Sequence, residues 1–400
     1  MNEDYKNFCI LPFISLHGKF TLKQHRPCCE WQGGFDGEYS SVEDLWNGKE
    51  FQDIRNQFNK RQMPKQCNVC VNNEKSNLLS MRQYNNRKYS KEVEFYTNNQ
   101  KTIVDTPIYW DLRPSNICNL ECVMCDTKNS SSISSRVDTW KKTFTITKEQ
   151  GKVLGKVYGQ RQEDSYFKYM KSNIDNVQEI LFAGGEPFLM PEVLHLLEWL
   201  TENNYSKNIE LSILTNGTAF RSKWMNMLKS FKKLNLSISL DGVEEIVEYA
   251  RYPNKWSSLE RNVVKFNELN KESNCNVHLN PCIHIMNFIG LHKLFSFAKQ
   301  HDIDISPTLV YNAQDYDYLY IGRIKTDMFI EELEKCKSVL HSWNRNKDSL
   351  KFIENISKIK FSIGKHNEQF QTYIHYLDSH RPIKFLEQYP YFDYLIKDYG

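Results

Sequence analysis

The stretch Asn116-Ile117-Cys118-Asn119-Leu120-Glu121-Cys122-Val123-Met124-Cys125 carries three cysteines in the spacing C-x3-C-x2-C. It follows directly after a strand-like segment, residues 108–112. Three thiolates this close together can hold a soft metal centre. A [4Fe–4S] cluster normally takes four cysteine ligands, so a set of three leaves one iron open for a small molecule. The stretch therefore predicts redox chemistry at an iron–sulfur centre.

Strand patterns and amphipathic helix patterns alternate along the rest of the chain. The strand patterns cover residues 108–112, 177–183, 209–214, 234–240, 277–286 and 303–311. Helical patterns lie between them at 193–200, 224–228 and 291–298. Such alternation predicts an α/β fold with a parallel sheet and right-handed crossovers. Six βα units fit a partial (β/α)6 TIM-like barrel, although periodicity alone also allows a doubly wound sheet.

Polar or glycine-rich turns follow the next three strand patterns, as the cysteine stretch follows the first. They are Gly184-Gly185-Glu186-Pro187, then Thr215-Asn216-Gly217, then Ser239 with Asp241-Gly242. Folds of this class place their chemistry at the carboxyl ends of the strands. The strand ends therefore predict one shared site, whereas each turn taken singly is also an ordinary turn former.

The cysteine spacing and the Gly-Gly-Glu-Pro turn together resemble the radical S-adenosylmethionine (SAM) superfamily. Most members place an aromatic residue before the last cysteine, where this chain has Met124. The resemblance favours the partial barrel over the doubly wound sheet. It also implies that Cys118, Cys122 and Cys125 bind the catalytic [4Fe–4S] cluster. It further implies that SAM sits on the open iron and is cleaved reductively to a 5′-deoxyadenosyl radical, which abstracts hydrogen from a substrate C–H bond.

The same resemblance implies a set of SAM-binding residues at the strand ends. The turn Gly184, Gly185, Glu186 and Pro187 would receive the methionine ammonium. Ser239 and Asp241 would supply the ribose and carboxylate contacts, Arg251 would pair with the SAM carboxylate, and Thr215 and Asn216 would lie beside them. The alternatives are turn formation for the polar residues and a solvated surface charge for Arg251. The sequence does not identify residues that stack on the adenine; His284 and Tyr311 are candidates, with core packing as the favoured role of both.

A second cysteine set lies at the N-terminus and resembles the SPASM/twitch modules that carry an auxiliary [4Fe–4S] cluster. Its predicted ligands are Cys9, Cys28, Cys67 and Cys70, with Cys28 favoured over the adjacent Cys29. In the family this module usually follows the barrel, whereas in this chain it precedes it. A structural zinc site fits four cysteines with one C-x2-C pair as well. The remaining Cys275, Cys282 and Cys336 are expected to be small buried apolar residues.

These patterns divide the chain into an auxiliary-cluster module at residues 1–85, a partial barrel at 86–325 and a helical extension at 326–400. The aromatic residues of the extension recur at helical spacing, which favours core packing. Residues 126–176 form a long polar connection, with helix expected at 148–160 and 165–172. This connection is either a substrate lid or a surface insertion.

The composition limits the possible partners and the compartment. The 400 residues carry 52 Lys and Arg against 49 Asp and Glu, a net charge of +3, which argues against a large nucleic-acid footprint. No apolar run is long enough to span a membrane, and the first residues do not resemble a signal peptide. The expected compartment is a reducing cytoplasm, where thiols stay free for metals, so the two cysteine sets are interpreted as metal sites rather than as a disulfide framework.

The expected function is peptide modification by radical SAM chemistry, as an oxidoreductase or maturase, with an electron supplied by flavodoxin or ferredoxin. Dehydrogenation or rearrangement of a small metabolite is the alternative reaction. Fold-level analogy does not choose between these substrates. An alternative of another class is a zinc or iron–sulfur binding protein without catalytic activity.

Overall fold

The computed structural model describes residues 7–19, 25–35, 39–75, 79–145, 148–158, 165–310, 317–344, 347–362 and 366–396. Its strands are β1 (Ser15–Gly18), β2 (Tyr109–Leu112), β3 (Glu121–Cys122), β4 (Glu179–Phe182), β5 (Glu210–Thr215), β6 (Lys233–Ile238), β7 (Arg251–Tyr252), β8 (Cys275–Leu279), β9 (Cys282–Ile283), β10 (Asp304–Ile305) and β11 (Thr308–Leu309). Within the described residues, seven of these strands form an open parallel sheet in the order β1-β2-β4-β5-β6-β8-β10. The predicted α/β class with a parallel sheet is confirmed.

The helices fall before, between and after these strands. They are α1 (Leu11–Ile14), α2 (Val42–Trp46), α3 (Lys49–Asn59), α4 (Asn68–Lys75), α5 (Met81–Lys88), α6 (Ser90–Asn99), α7 (Ser131–Thr143), α8 (Lys148–Leu154), α9 (Ser165–Ser172), α10 (Pro191–Glu202), α11 (Ser222–Lys229), α12 (Glu244–Ala250), α13 (Trp256–Asn267), α14 (Ile285–Phe288), α15 (Leu291–Gln300), α16 (Thr326–His341), α17 (Lys347–Ile356), α18 (Asn367–His380) and α19 (Phe385–Gln388). None of the described helices is long and apolar enough to cross a membrane.

The chain divides into two compact units. The first comprises Met1–Asn116, Arg161–Ser212 and Ser230–Lys233, and the second comprises Ile117–Gln160, Ile213–Lys229 and Leu234–Gly400. The division passes through strands β5 and β6, so each unit contains part of the sheet.

The first unit is built on three neighbouring parallel strands. Trp110 on β2 lies in register with Leu16 on β1 and with Ile180 on β4, and all three side chains are fully buried. Strands buried on both faces are typical of parallel sheets. Strand β1 was not among the predicted strands, because its four residues, Ser15 to Gly18, carry no apolar alternation.

The second unit carries the remaining strands and the C-terminal helices. The predicted strand at 277–286 is wrong in its second half, because β8 ends at Leu279, a break at Pro281 and the short β9 follow, and helix α14 begins at Ile285. Proline lacks the N–H that a central strand must donate, which explains the break. The strand predicted at 303–311 consists of β10 and β11, and Tyr311 lies outside the described residues.

Candidate functional site

The cysteine loop of the second unit is shaped by a short antiparallel pair. Strand β3 lies against β7, with Cys122 in register with Arg251, and the N–H of Val123 donates to the Ala250 carbonyl at 2.9 Å. Past this pair the chain turns back, because the N–H of Cys125 donates to the Cys122 carbonyl at 3.0 Å. The pairing therefore places the second and third cysteines of the motif on one tight turn.

Three serines at the start of α7 hold the first part of this loop. Ser130 caps the helix and donates its hydroxyl to the Leu120 carbonyl at 2.7 Å. Ser132 donates to the Cys118 carbonyl at 2.7 Å, and the N–H of Cys118 donates to Ser131 Oγ at 3.2 Å. The polar run after the motif is thus part of the site, since its hydroxyls fix the backbone on which the first cysteine stands.

Polar side chains from the later strand ends lie beside the cysteine sulfurs. Arg251 Nη1 lies 3.8 Å from Cys122 Sγ, and Asn216 Nδ2 lies 3.9 Å from Cys118 Sγ. Burial raises the pKa of the Cys122 thiol to about 12, and the charge of Arg251 opposes this rise. Burial likewise raises the pKa of Cys125. The surroundings thus offer a cation and an amide donor to sulfurs that would carry negative charge as metal ligands.

Asp241 and Arg251 form a buried ion pair next to the loop. Arg251 Nε lies 2.6 Å from Asp241 Oδ2, and Asp241 Oδ1 accepts the N–H of Cys282 at 2.8 Å. Asp241 is fully buried, and the arginine is its charged partner. Arg251 is 7% exposed and is therefore no solvated surface charge.

The other predicted residues of these strand ends shape the turns. Thr215 Oγ1 accepts the N–H of Gly217 at 3.1 Å, and the N–H of Ser239 donates to the Thr215 carbonyl at 2.8 Å. His284, a candidate for stacking, is fully buried, and its Nδ1 accepts the N–H of Met286 at 3.2 Å. Burial lowers the pKa of His284 to about 4, so the ring is neutral near neutral pH.

The Gly-Gly-Glu-Pro turn lies in the first unit, at the end of β4. Gly184 has φ +103°, and a Cβ there would lie 3.0 Å from the Ser115 carbonyl oxygen, so both the backbone angle and the space require glycine. The N–H of Gly185 donates to that same oxygen at 3.2 Å. Glu186 is fully buried and accepts the N–H of Phe188 at 3.1 Å, while Pro187 begins the short helical turn that follows. The turn is therefore fixed against the segment that leads out of β2.

The first unit also brings the N-terminal cysteines together. One small cavity is lined by Cys9, Cys28, Cys67 and Cys70, together with Glu30 and Arg82 among others. Cys9 precedes α1 and Cys28 follows β1, whereas Cys67 ends a short helical turn and Cys70 lies in α4. Burial raises the pKa of each thiol, and the neighbouring thiols raise that of Cys9 further.

Cys29 lies outside that cavity. Its closest polar environment is a buried network in which His17 Nδ1 lies 2.9 Å from Asp111 Oδ2, and Arg113 lies 3.4 Å from the other carboxylate oxygen. Arg113 also hydrogen-bonds to Cys29. Burial raises the pKa of Asp111, but the charges of Arg113 and His17 outweigh this and lower it to about 2.

All eleven cysteines lie in the part of the chain that the structure describes, and each is free of a disulfide. Among the described residues, no group of three or more His, Cys, Asp or Glu side chains is placed so that it could hold a single metal ion. The N-terminal thiols instead line the wall of a shared space.

Helix α18 and the residue that follows it contribute contacts that sequence reasoning missed. The Tyr373 hydroxyl donates to the Val123 carbonyl at 2.8 Å, and Arg381 Nη2 donates to the Glu121 carbonyl at 2.7 Å. Arg381 also donates to the Tyr249 carbonyl. The prediction treated this helical extension as an aromatic core, and its helical spacing carries no signal for a contact about 250 residues away.

A cavity of about 940 Å³ opens beside the cysteine loop in the second unit. Cys122 and Cys125 form part of its wall, and α7, α8 and α18 supply many of the other lining residues. Its volume lies at the top of the range for ligand pockets. The loop therefore faces a space large enough for a substrate.

Comparisons with known proteins identify the relatives of this chain. The family model described as Radical SAM superfamily matches residues 112–292. The uncharacterized protein MJ0907 of Methanocaldococcus jannaschii is 27% identical over 149 residues, which cover 36% of this chain and 41% of that protein.

Solved structures with a detectable likeness include two proteins with bound S-adenosylmethionine (AdoMet). Streptococcus suis SuiB bound to S-adenosylmethionine is 16% identical, with a TM-score of 0.40 over 86% of this chain and 70% of that chain. Native anSMEcpe with bound AdoMet is 20% identical, with a TM-score of 0.40 over 64% of each chain.

Proposed function

Residues 112–292 of this chain belong to the radical SAM superfamily, and on that premise we propose that the protein is a peptide-modifying radical SAM enzyme. Its bound [4Fe–4S] cluster and SAM would supply a 5′-deoxyadenosyl radical that removes a hydrogen atom from a C–H bond of the peptide. The reducing partner we propose is a flavodoxin or a ferredoxin.

One observation carries this proposal, namely the surroundings of the three cysteines. They occur within eight residues on a loop that β3, β7 and the serines of α7 hold in place. Arg251 and Asn216 direct their donors at the sulfurs of Cys122 and Cys118. A cluster bound by three thiolates is anionic, so this donor set fits it.

The strand-end residues would act as positioning groups for SAM. The buried Glu186 carboxylate and the carbonyls of its turn would accept hydrogen bonds from the methionine ammonium, and Gly184 allows that backbone to approach closely. Asp241 would hold Arg251 in place for the carboxylate, since the two already form an ion pair at 2.6 Å. Thr215 and Ser239 would hold the turn on which Asn216 stands.

We further propose that Cys9, Cys28, Cys67 and Cys70 bind an auxiliary [4Fe–4S] cluster. The support is that these four thiols line one cavity, whereas Cys29 does not. Arg82 lies on the same wall and would offset part of the negative charge of four thiolates. The competing occupant is a structural zinc ion.

Anaerobic reconstitution with iron and sulfide, followed by dithionite and SAM, tests the principal proposal. The product to measure is 5′-deoxyadenosine, which we expect from the wild-type protein and not from a variant carrying Cys118→Ala, Cys122→Ala and Cys125→Ala. Cys275→Ala is the matched control, because this cysteine lies at the start of β8 and is expected to leave the yield unchanged. A wild-type protein that binds no iron and leaves SAM intact would refute the proposal.

Metal analysis of the same triple variant isolates the N-terminal site. We expect about four irons per chain to remain, since the second cysteine set is intact. Stoichiometric zinc in their place would overturn the auxiliary-cluster proposal and leave the principal one standing.

A further inference from the structure

We propose that the cavity beside the cysteine loop binds an acidic segment of the substrate peptide. This inference rests on the proposed function and names the chemistry that would select the substrate. The charge of the cavity wall, the pairing of its acidic residues and the distribution of its cations support this assignment.

Two helices contribute much of the wall of this cavity. Helix α8 contributes Lys148, Gly151 and Lys152, which lie on one face because they are three and four residues apart. Helix α18 contributes residues that likewise recur on one helical face, namely Gln369, Tyr373, Tyr376, Leu377 and His380. A ligand in the cavity would therefore meet lysines as well as aromatic and polar groups.

The described residues that line the cavity include six permanent cations and two acids. The cations are Lys128, Lys141, Lys148, Lys152, Lys156 and Arg381, and the acids are Glu121 and Asp126. An excess of one sign in a concave site concentrates the field and attracts ligands of the opposite sign.

Both acids already have partners in the wall. Glu121 accepts from Arg136 at 3.2 Å and lies 3.2 Å from His380 Nε2. Asp126 Oδ1 accepts the backbone N–H groups of Lys128 and Asn129, each at 2.9 Å, and so closes its own turn. These contacts occupy both carboxylates of the wall.

Arg381 adds a buried positive charge at the base of the cavity. It is 2% exposed, and it donates to the carbonyl oxygens of Glu121 and Tyr249 rather than to a carboxylate. Carbonyl oxygens satisfy the donors of a guanidinium but do not cancel its charge. A ligand carboxylate that enters the cavity would gain from this field.

The placement of the lysines favours carboxylates spaced along a chain over one compact anion. Lys128 follows the cysteine loop, Lys141 lies in the last turn of α7, Lys148 and Lys152 lie on α8, and Lys156 follows it. Arginine clusters that converge on one point are the usual receptors for a phosphate group. Lysines on four successive segments instead fit several acidic side chains of an extended peptide.

A binding measurement with reconstituted protein tests the inference. The probe is a fluorescein-labelled peptide of alternating Glu and Gly, compared by anisotropy with the matching Gln–Gly peptide. We expect only the Glu peptide to bind, with affinity that falls as salt rises. The double variant Lys148→Glu/Lys152→Glu should bind it about tenfold more weakly or worse, a change of about 1.4 kcal/mol.

The control is Lys347→Glu/Lys351→Glu, which reverses two exposed lysines at the same spacing on α17. It should leave peptide affinity unchanged, and thermal unfolding of both variants checks that they fold. Equal binding of the Glu and Gln peptides, or equal weakening by both double variants, would overturn the inference.

A further outcome distinguishes binding of the substrate peptide from docking of the reducing partner. If the Glu peptide does not bind, and the α8 variant instead loses affinity for reduced flavodoxin, the lysines serve electron-donor docking and the inference is wrong. Because the readout is binding, a protein that selects the Glu peptide but yields no 5′-deoxyadenosine would contradict the proposed function and not the charge preference of the cavity.

Discussion

Replacing Arg381 by leucine should destabilise the protein strongly, because one buried side chain ties two segments together. Its guanidinium donates to the carbonyl of Glu121 in β3 and to that of Tyr249 in α12. It also lies 4.9 Å from the Tyr249 ring centre and 5.3 Å from that of Tyr252. Leucine keeps part of the apolar stem but none of the donors.

The size of the effect follows from the groups left behind. Each buried carbonyl without a partner costs about 1–3 kcal/mol, and each lost cation–π contact costs about 0.5–1 kcal/mol. The change should therefore total about 3 kcal/mol or more. For a unit of roughly 200 residues this corresponds to a fall in Tm of about 6 °C or more.

Thermal unfolding of the metal-free protein, followed by circular dichroism, measures this fall without any reference to catalysis. The matched control is Arg136→Leu, because Arg136 also contacts Glu121 but through its carboxylate, and it is 39% exposed on its side chain. An exposed ion pair contributes about 0–1 kcal/mol, so its loss should lower Tm by about 4 °C or less. Equal shifts in the two variants would refute the assignment of Arg381 as the anchor of the cysteine loop.

Three further changes test other parts of the structure. The pKa of Asp111 is about 2 in the folded protein against an ordinary 3.8, so its ionisation stabilises the fold above about pH 4 and this stability is lost as the pH falls toward about 2. The variant Asp111→Asn should flatten the fall in unfolding free energy between about pH 5 and about pH 3. An unchanged slope would contradict the buried charge network around Asp111. Tyr373→Phe removes the donor to the Val123 carbonyl and should lower the free energy of unfolding in denaturant by about 1 kcal/mol. The variant should also release iron to a chelator faster than the wild-type protein, and an unchanged rate of iron release would argue against a role of Tyr373 in holding the loop. Gly184→Ala forces a side chain onto a backbone φ angle of +103° and should lower the free energy of unfolding by about 1–2 kcal/mol. The variant should also bind SAM more weakly in isothermal titration calorimetry, whereas an unchanged SAM affinity would show that this turn does not approach SAM.

The long, regular elements could be predicted from the sequence because each carries its own apolar period. Strand β5 and helix α10 match their predicted positions to within about two residues. Strand β1 escaped prediction because Ser15 to Gly18 is short and half polar, and only its partner β2 makes it a strand. The segment 277–286 looked like one strand because its apolar residues outweighed Pro281 in the pattern.

The same distinction between local and long-range signals applies to the candidate site. The spacing of Cys118, Cys122 and Cys125 lies within one local segment, so the sequence alone exposes it. The partners of that segment come from far along the chain: Tyr373 lies 250 residues from the carbonyl it contacts, and Arg381 lies 260 residues from its own. No local period encodes such a contact, because it exists only once the fold has formed.

The pairing of β1 with β2 bears on any attempt to shorten the protein. Cutting after residue 85, where the cysteine pattern alone suggests a boundary, would remove β1 and leave the whole length of Tyr109–Leu112 with unpaired backbone groups on one side. His17 would leave with it, so Asp111 would lose one of the two basic neighbours that keep it charged. A bare strand of this kind invites intermolecular pairing, so such a fragment would tend to aggregate during expression.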